Sequence, residues 1–140
     1  MVEGIELSQE QIEQAEAVVA ALKDSYLQWV RQDLANLIKL WEQASQTGHH
    51  DRSGMMADMF RIAHDIKGQG GSFGFDLVSQ VGEQLCRLLE THSDWNDVSL
   101  GVVKSHVDVI LSIIVEGRTG TGSEEDQAVM QRLNSLIKAL

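Results

Sequence analysis

The stretch Phe60–Phe75, "FRIAHDIKGQGGSFGF", combines helically spaced apolar residues with one histidine and four glycines. Each glycine inside a helix costs roughly 1 kcal/mol relative to alanine, so a cluster of glycines in a helical segment needs an explanation. On a helical wheel, His64 lies roughly 140° from the centre of the apolar stripe. The members of that stripe are Met59, Ile62, Ala63, Ile66 and Gly70. The stretch therefore predicts a helix that buries one face and presents His64 on the other.

Two of the glycines lie on the same face as the histidine. Gly68 and Gly71 follow His64 by four and seven residues, and residues at these spacings are neighbours on a helix. Because helical side chains lean toward the N-terminus, a side chain at either position would cover the imidazole. Lys67, three residues after the histidine, can place an ammonium group beside it, and Gly74 is expected at the helix C-cap. The pattern predicts an exposed histidine that another protein's backbone can approach closely.

The composition of the whole chain favours an all-α protein. Its 140 residues include no proline and are 43% hydrophobic but only 5% aromatic, and most polar residues are helix formers. This length fits one domain, residues 1–140, with a hydrophobic core of its own.

Apolar periodicity and capping patterns predict about six helices. "SQEQ" (Ser8 to Gln11) is a capping-box pattern that begins the first helix, and "SEED" (Ser123 to Asp126) is a second cap. The expected helices run to about Leu22, from about Asp24 to Ala44, from near Met55 through His64, from about Phe75 to Thr91, from about Asn96 to Glu116, and from the second cap to the end. Because short connections make consecutive helices antiparallel, we expect an antiparallel four-helix bundle with one or two additional helices.

Charge and cysteine content restrict the partners and the compartment. The net charge of −10 and the sequence pI of about 4.8 disfavour binding to nucleic acid or anionic membranes, and would suit a basic protein surface. Cys86 is the single cysteine, so no internal disulfide forms. No apolar run approaches a membrane span, and the first residues do not resemble a secretory signal. We therefore expect a cytoplasmic protein.

The segment "HDIKGQGGSFG" resembles the H-x-x-K-G-x(5)-G pattern of histidine phosphotransfer (HPt) domains. The longer stretch Phe60–Phe75 is similar to the phosphotransfer domain at the N-terminus of chemotaxis histidine kinases. The resemblance implies a four-helix bundle in which His64 is phosphorylated. It also implies that Lys67 helps to hold the phosphoryl group, that Gly68 gives clearance, and that Gly74 closes the helical turn.

One position departs from the family pattern. In the chemotaxis-type domains a Glu or Gln, twenty-two residues after the histidine, orients the imidazole, whereas this chain has Cys86 there. Glu83 lies one turn earlier on a similar face and is the candidate substitute, while Gln84 points to the other side. We interpret Cys86 as a small, half-buried apolar residue without a redox role.

The resemblance implies a phosphoryl carrier and no enzyme. His64 would accept a phosphoryl group from a receiver-domain aspartate and pass it to another receiver aspartate. The expected partners are response-regulator receiver domains and a histidine kinase, hybrid or not, with the protein itself a monomer. The chain shows no nucleotide-binding motif and no carboxylate cluster suited to Mg²⁺, since Asp65 alone is inadequate. We therefore expect no intrinsic cofactor, and Mg²⁺ supplied by the receiver.

A receiver that reaches His64 must contact the residues around it. Besides Lys67 and Glu83, the predicted contact ring comprises Phe60, Arg61, Gly71, Ser79 and Gly82. Two alternatives stay open at this point: a binding or inhibitory module of the same fold that transfers nothing, and a structural helical bundle in which His64 is incidental.

Other candidate sites are weaker. His49 and His50 are adjacent in a loop, so their side chains diverge and a third metal ligand is not evident. The loop "GRTGTGS" lacks the Gly-Lys-Ser/Thr ending of a phosphate-binding loop. We expect His92 and His106 at the surface, and expect the tryptophans to pack helices together; these are Trp29, Trp41 and Trp95.

Overall fold

The computed structural model describes residues 8–120 and 122–140. In these ranges the chain forms five α-helices and no strand. The helices are α1 (Gln9–Gln46), α2 (Ser53–Gly70), α3 (Asp76–Thr91), α4 (Asp97–Glu116) and α5 (Glu124–Lys138). Helix α1 packs on α2 and α4, and α3 packs on the same two helices, so α1–α4 close into a four-helix bundle. Helix α5 packs against α3 and α4. The predicted all-α bundle with an additional helix is confirmed.

The first two expected helices are one. Helix α1 continues for 38 residues through the predicted break between Leu22 and Asp24. That prediction was wrong because the segment contains neither glycine nor proline, so nothing interrupts the backbone hydrogen bonds. The predicted start is confirmed: the Ser8 hydroxyl accepts from the Gln11 amide at 3.1 Å, and the Gln11 side chain accepts from the Ser8 amide at 2.9 Å.

The N-terminal part of α1 extends past the packed body of the bundle. Tyr26 is the first fully buried residue of this helix. Its ring stacks on Phe73 and Phe75, with centroid distances of 4.7 and 5.4 Å. This aromatic group covers the end of the core where α2 turns into α3, and it therefore fixes the position of the segment that follows the histidine helix.

The tryptophans divide between core and surface. Trp95 is buried, and Trp41 donates its indole N–H to the Leu100 carbonyl at 2.7 Å, which joins α1 to α4. Trp29, in contrast, is 56% exposed, so the expectation that all three pack helices together was wrong for this one. Trp29 lies at the edge of the buried stripe of α1, next to the buried Val30. At the edge of such a stripe, the spacing of apolar residues does not decide whether a side chain is buried.

A buried arginine ties the end of α1 to the start of α4. Arg52 is only 6% exposed, and its guanidinium donates to the Ala44 carbonyl and to the Trp95 carbonyl, each at 2.8 Å. It also contacts the Asp97 carboxylate at 3.1 Å. Because the charge has these partners, its burial is tolerated and the two helix ends are held together.

Helix α4 is the most apolar element, and it corrects two expectations. No run long enough for a membrane span was expected, yet α4 is long and apolar enough to cross a membrane. Half of its apolar segment is buried within the bundle, as in a core helix. His106 is not at the surface: it is fully buried, with its Nδ1 2.8 Å from the Val102 carbonyl. Burial lowers the pKa of His106, so the neutral ring is the form that fits the core.

Candidate functional site

Helix α2 presents His64 on its exposed face. The buried residues of α2 lie on the opposite side, as the helical wheel predicts; they are Met56, Met59, Ala63, Ile66 and Gly70. Their burial against the other bundle helices fixes the rotation of α2 about its axis. The direction in which His64 points is therefore a consequence of core packing.

His64 lines a shallow cavity of about 330 Å³ together with Phe60, Arg61 and Asp65. The Phe60 ring lies one turn earlier, 6.0 Å from the imidazole centroid at 38°. Arg61 is turned away into an ion pair with Asp58. In the part of the chain that the structure describes, no hydrogen bond to the His64 ring is present. The His64 side chain is exposed, so an incoming group can approach its ring.

The two glycines on the His64 face occupy open space. A Cβ built on Gly68 would meet no atom within 4 Å beyond its own stretch of helical backbone, and one on Gly71 would lie at an ordinary contact distance of 3.5 Å from the Ser79 hydroxyl. Both have right-handed helical or near-helical backbone, so neither packing nor conformation requires glycine there. The fold itself therefore does not require the clearance that Gly68 leaves.

Two other glycines serve the contact between α2 and α3. A Cβ on Gly70 would lie 2.9 Å from the Ser79 hydroxyl, and one on Gly82 would lie 3.1 Å from the Lys67 Cβ. The Ser79 hydroxyl also donates to the Lys67 carbonyl at 2.8 Å. Gly82, predicted as part of the receiver-contact ring, is buried against Lys67 in the contact between α2 and α3, and Ser79 is only partly exposed.

Lys67 and Glu83 form an ion pair between α2 and α3, and Arg87 reaches the same carboxylate at 3.1 Å. The hydrogen bond with Glu83 raises the pKa of Lys67, and the hydrogen bond from Lys67 lowers the pKa of Glu83. Both side chains are a little over one third exposed, so the pair is accessible from solvent. Glu83 was expected to orient the imidazole, but among the described residues its partners are Lys67 and Arg87.

Cys86 lies inside the helix contact and is 5% exposed, which is more buried than expected. Burial raises the pKa of its thiol to about 11, so the neutral form prevails at physiological pH. A neutral, buried thiol behaves as a small apolar residue. The interpretation of Cys86 as an apolar packing residue therefore agrees with its environment.

The turn after α2 depends on Gly74, which has a φ of +83°, a left-handed conformation that favours glycine. Gly120, in the "GRTGTGS" loop that was expected to be a plain connection, makes hydrogen bonds with this turn and with α3. The Gly120 amide donates to the Gly74 carbonyl at 2.9 Å, and the Gly120 carbonyl accepts from the Leu77 amide at 3.1 Å. The loop before α5 thus fixes the start of α3, and with it Ser79 and Glu83.

A second cavity, of about 260 Å³, lies between α1 and α2 and shares one wall with the histidine cavity. That shared residue is Asp65. The other lining residues are Trp29, Gln32, Asp33 and Gln69. The sequence did not predict this cavity, because the cavity depends on which faces of α1 and α2 pack together. The one sequence feature that pointed to it was Trp29, at the edge of the buried stripe of α1.

The adjacent loop histidines have no metal-site geometry. His49 pairs with Asp94 at 2.6 Å, a contact that lowers the pKa of Asp94, and its ring stacks on His50. His92 is partly exposed and contacts Trp95 edge to face. Over residues 8–120 and 122–140, no group of three or more potential metal-ligating side chains is found.

Comparison with known proteins agrees with this geometry. A family model described as the Hpt domain matches residues 21–112, which is more than half of the chain and includes His64, Lys67 and Glu83. No curated protein and no solved structure matches. The chain therefore belongs to the Hpt domain family, the helical phosphoryl-carrier domains of two-component signalling, which interact with receiver domains and histidine kinases.

Proposed function

We propose that this protein accepts a phosphoryl group on His64 from an aspartyl phosphate of one receiver domain and passes it to the aspartate of a second receiver. The observation that carries the proposal is the exposed imidazole, free of hydrogen bonds among the described residues, beside a helical glycine whose clearance the fold does not require. A second protein's active site can approach His64 over Gly68 without displacing a side chain.

The nucleophile in this transfer is the neutral imidazole of His64. A ring nitrogen lone pair attacks phosphorus, an N–P bond forms, and the P–O bond to the receiver aspartate breaks, so the aspartate leaves as a carboxylate. The proton on the other ring nitrogen is released to solvent or retained as the phosphoimidazolium. The second transfer is the same step in reverse, onto another carboxylate. We expect the nitrogen farther from the backbone to react.

Lys67 supplies positive charge for the phosphoryl oxygens. Lys67 lies three residues after His64 on α2, and in the resting protein its solvent-accessible ammonium pairs with Glu83 of α3. Phosphorylation of His64 adds negative charge nearby, and Lys67 can share its three N–H donors between the phosphoryl group and Glu83. In this proposal Glu83 positions Lys67, while the imidazole takes its orientation from the docked receiver.

The metal belongs to the partner. Phosphoryl transfer needs in-line positioning and neutralisation of charge on the equatorial oxygens. We expect the acidic pocket of the receiver to supply Mg²⁺, and the Hpt protein to supply the nucleophile and Lys67. The contact surface on this side includes Phe60, Arg61 and Gly71. We further propose that the protein acts in the cytoplasm as a monomer.

Transfer of label from a phosphorylated receiver tests the proposal. The wild-type protein should gain acid-labile, base-stable phosphate, and His64→Gln should gain none. His50→Gln is the matched control, because His50 is an exposed histidine in a distant loop and its loss should leave labelling unchanged. Labelling of His64→Gln would refute the assignment of the site, and an unlabelled wild type with every receiver tried would refute the carrier function.

A non-transferring Hpt module is the second candidate. Cys86, buried and neutral, stands where the family pattern has an orienting Glu or Gln, and the imidazole lacks a hydrogen-bond partner among the described residues. Such a module would bind a receiver or kinase without labelling. Receiver binding by the wild type without transfer of label would favour this function.

A further inference from the structure

The cavity between α1 and α2 lies directly beside the reacting histidine. Asp65 forms part of both cavities, so a protein that covers His64 also reaches the second one. Trp29 borders that cavity and is 56% exposed, which is unusual for the largest apolar side chain. An exposed tryptophan next to a functional residue is typical of a contact surface.

Two carboxylates line the same cavity from opposite helices. Asp33 projects from α1 and Asp65 from α2. Within the described ranges neither makes an ion pair or hydrogen bond, and Arg61, the cation one turn before Asp65, pairs with Asp58 instead. Burial and the charge of Asp65 both raise the pKa of Asp33. The free domain thus holds two like charges near each other without a compensating cation.

We propose that Trp29, Asp33 and Asp65 form a cradle for a basic side chain of the docked receiver, and that this contact selects which receiver exchanges phosphate with His64. The inference rests on the proposed carrier function and names the chemistry of its partner. An arginine fits best, since its planar guanidinium can pair with both carboxylates while it stacks on the indole. A cation in this place also removes the repulsion between the two aspartates.

The charge of the chain argues against a second copy as the occupant. The protein carries a net charge of −10, so two copies repel each other, whereas a partner segment with a basic residue is attracted. Basic side chains at such a contact mainly increase the rate of association and the discrimination among partners. They have less effect on the rate of the chemical step. The cradle is therefore a specificity surface, and the three residues are positioning residues that leave the chemistry to His64.

The kinetics of transfer from one phosphorylated receiver test the cradle. Asp33→Asn is the decisive variant because Asp33 lies on α1, away from the His64 backbone. At low salt it should raise the KM for the receiver about tenfold and leave the maximal rate unchanged. Trp29→Ala should have the same signature, and Asp33→Asn should weaken the salt dependence of KM. Glu42→Gln, an exposed carboxylate further along α1, is the matched control and should change KM less than twofold.

Each other outcome overturns the inference in a distinct way. An unchanged KM for Asp33→Asn and for Trp29→Ala would show that the receiver does not use the cavity. An equal effect of Glu42→Gln would assign the effect to net charge alone. A lower maximal rate at unchanged KM would place Asp33 in the chemical step. Binding of Mg²⁺ to the isolated wild type, lost in Asp33→Asn, would make the cavity a metal site, and concentration-dependent dimerisation lost in Trp29→Ala would make it a self-contact.

Failure of the cradle and failure of the carrier function are distinguishable. If wild type takes no label on His64, the carrier function fails. If wild type is labelled and the Asp33 and Trp29 variants match it at every receiver and salt concentration, only the cradle fails. Unfolding of the variants in urea completes the test, because Asp33→Asn should be at least as stable as wild type once the unrelieved repulsion is removed.

Discussion

Gly68 gives the sharpest test of whether the site is shaped for a partner instead of for the fold. A Cβ there would meet no atom within 4 Å beyond its own stretch of helical backbone, which is right-handed. Gly68→Ala should therefore stabilise the isolated domain by about 0.5–1 kcal/mol, the usual gain from replacing an exposed helical glycine. For a chain of this length that corresponds to a rise in Tm of about 3 °C.

A larger side chain at the same position should separate stability from function. Gly68→Leu should also fold, since the space is open, but its side chain leans back over His64. A receiver held about 1 Å from its productive position can lose transfer by about 100-fold. Gly101 is the matched control: it lies exposed within α4, and its Cβ would also meet nothing within 4 Å. Gly101→Leu should keep the wild-type rate.

Thermal unfolding and receiver-to-His64 transfer, measured on the same variants, complete the experiment. Gly70→Ala provides the contrast, because its Cβ would lie 2.9 Å from the Ser79 hydroxyl and 3.1 Å from the Phe75 carbonyl. We expect it to destabilise the fold by about 1–3 kcal/mol. Transfer at the wild-type rate in Gly68→Leu would refute the clearance argument, and a loss of stability in Gly68→Ala would refute the assignment of open space.

Three further predictions concern charge. Arg52→Met should lower the free energy of unfolding by about 3 kcal/mol, because four oxygens lose a hydrogen bond from the guanidinium; an unchanged urea midpoint would contradict this. Burial lowers the pKa of His106 below its usual value of 6.5, so the neutral ring stabilises the fold fully above pH 6.5. As the pH falls from there toward the folded-state pKa, the free energy of unfolding should decrease by up to about 1.4 kcal/mol per pH unit. Urea unfolding between neutral and mildly acidic pH should show this loss, and His106→Gln should reduce it whereas His92→Gln should not. Lys67→Met should slow transfer to His64 about 100-fold, and Glu83→Gln should slow it less; a larger effect of the Glu83 change would place that carboxylate, instead of the ammonium, next to the phosphoryl group.

Local patterns were sufficient for much of this protein. The capping residues Ser8 and Ser123 mark helix starts, and both caps form as the side chains predict. The apolar period of α2 predicts the exposed face that carries His64, because a helix with one buried stripe has its rotation fixed. Gly74, expected at a helix C-cap, is the left-handed cap of the 3-10 turn Gly71–Phe73 that follows α2.

Other residues were wrongly placed because their surroundings come from distant parts of the chain. The sequence of α4 alone predicts that His106 lies at the surface. It is buried instead, because α1, α3 and α5 all pack against α4. Gly82 was predicted in the receiver-contact ring without any sign of its burial, yet it packs closely against Lys67 of the neighbouring helix. Periodicity describes one helix at a time and cannot give the distance between two.

The sequence by itself determined the all-α class, the family motif and the outward direction of His64, since each depends on residues within a few turns of one another, although it divided α1 into two helices. Only the tertiary structure decided what surrounds the imidazole. Helices α2 and α3 approach closely at Gly70 and Gly82, and this contact places Glu83 within ion-pair distance of Lys67. The contact of α1 with α2 brings Trp29 and Asp33 beside Asp65. The physical reason is that an ion pair or a cavity depends on which side chains from different helices lie next to each other. The packing of the shared core determines those neighbours.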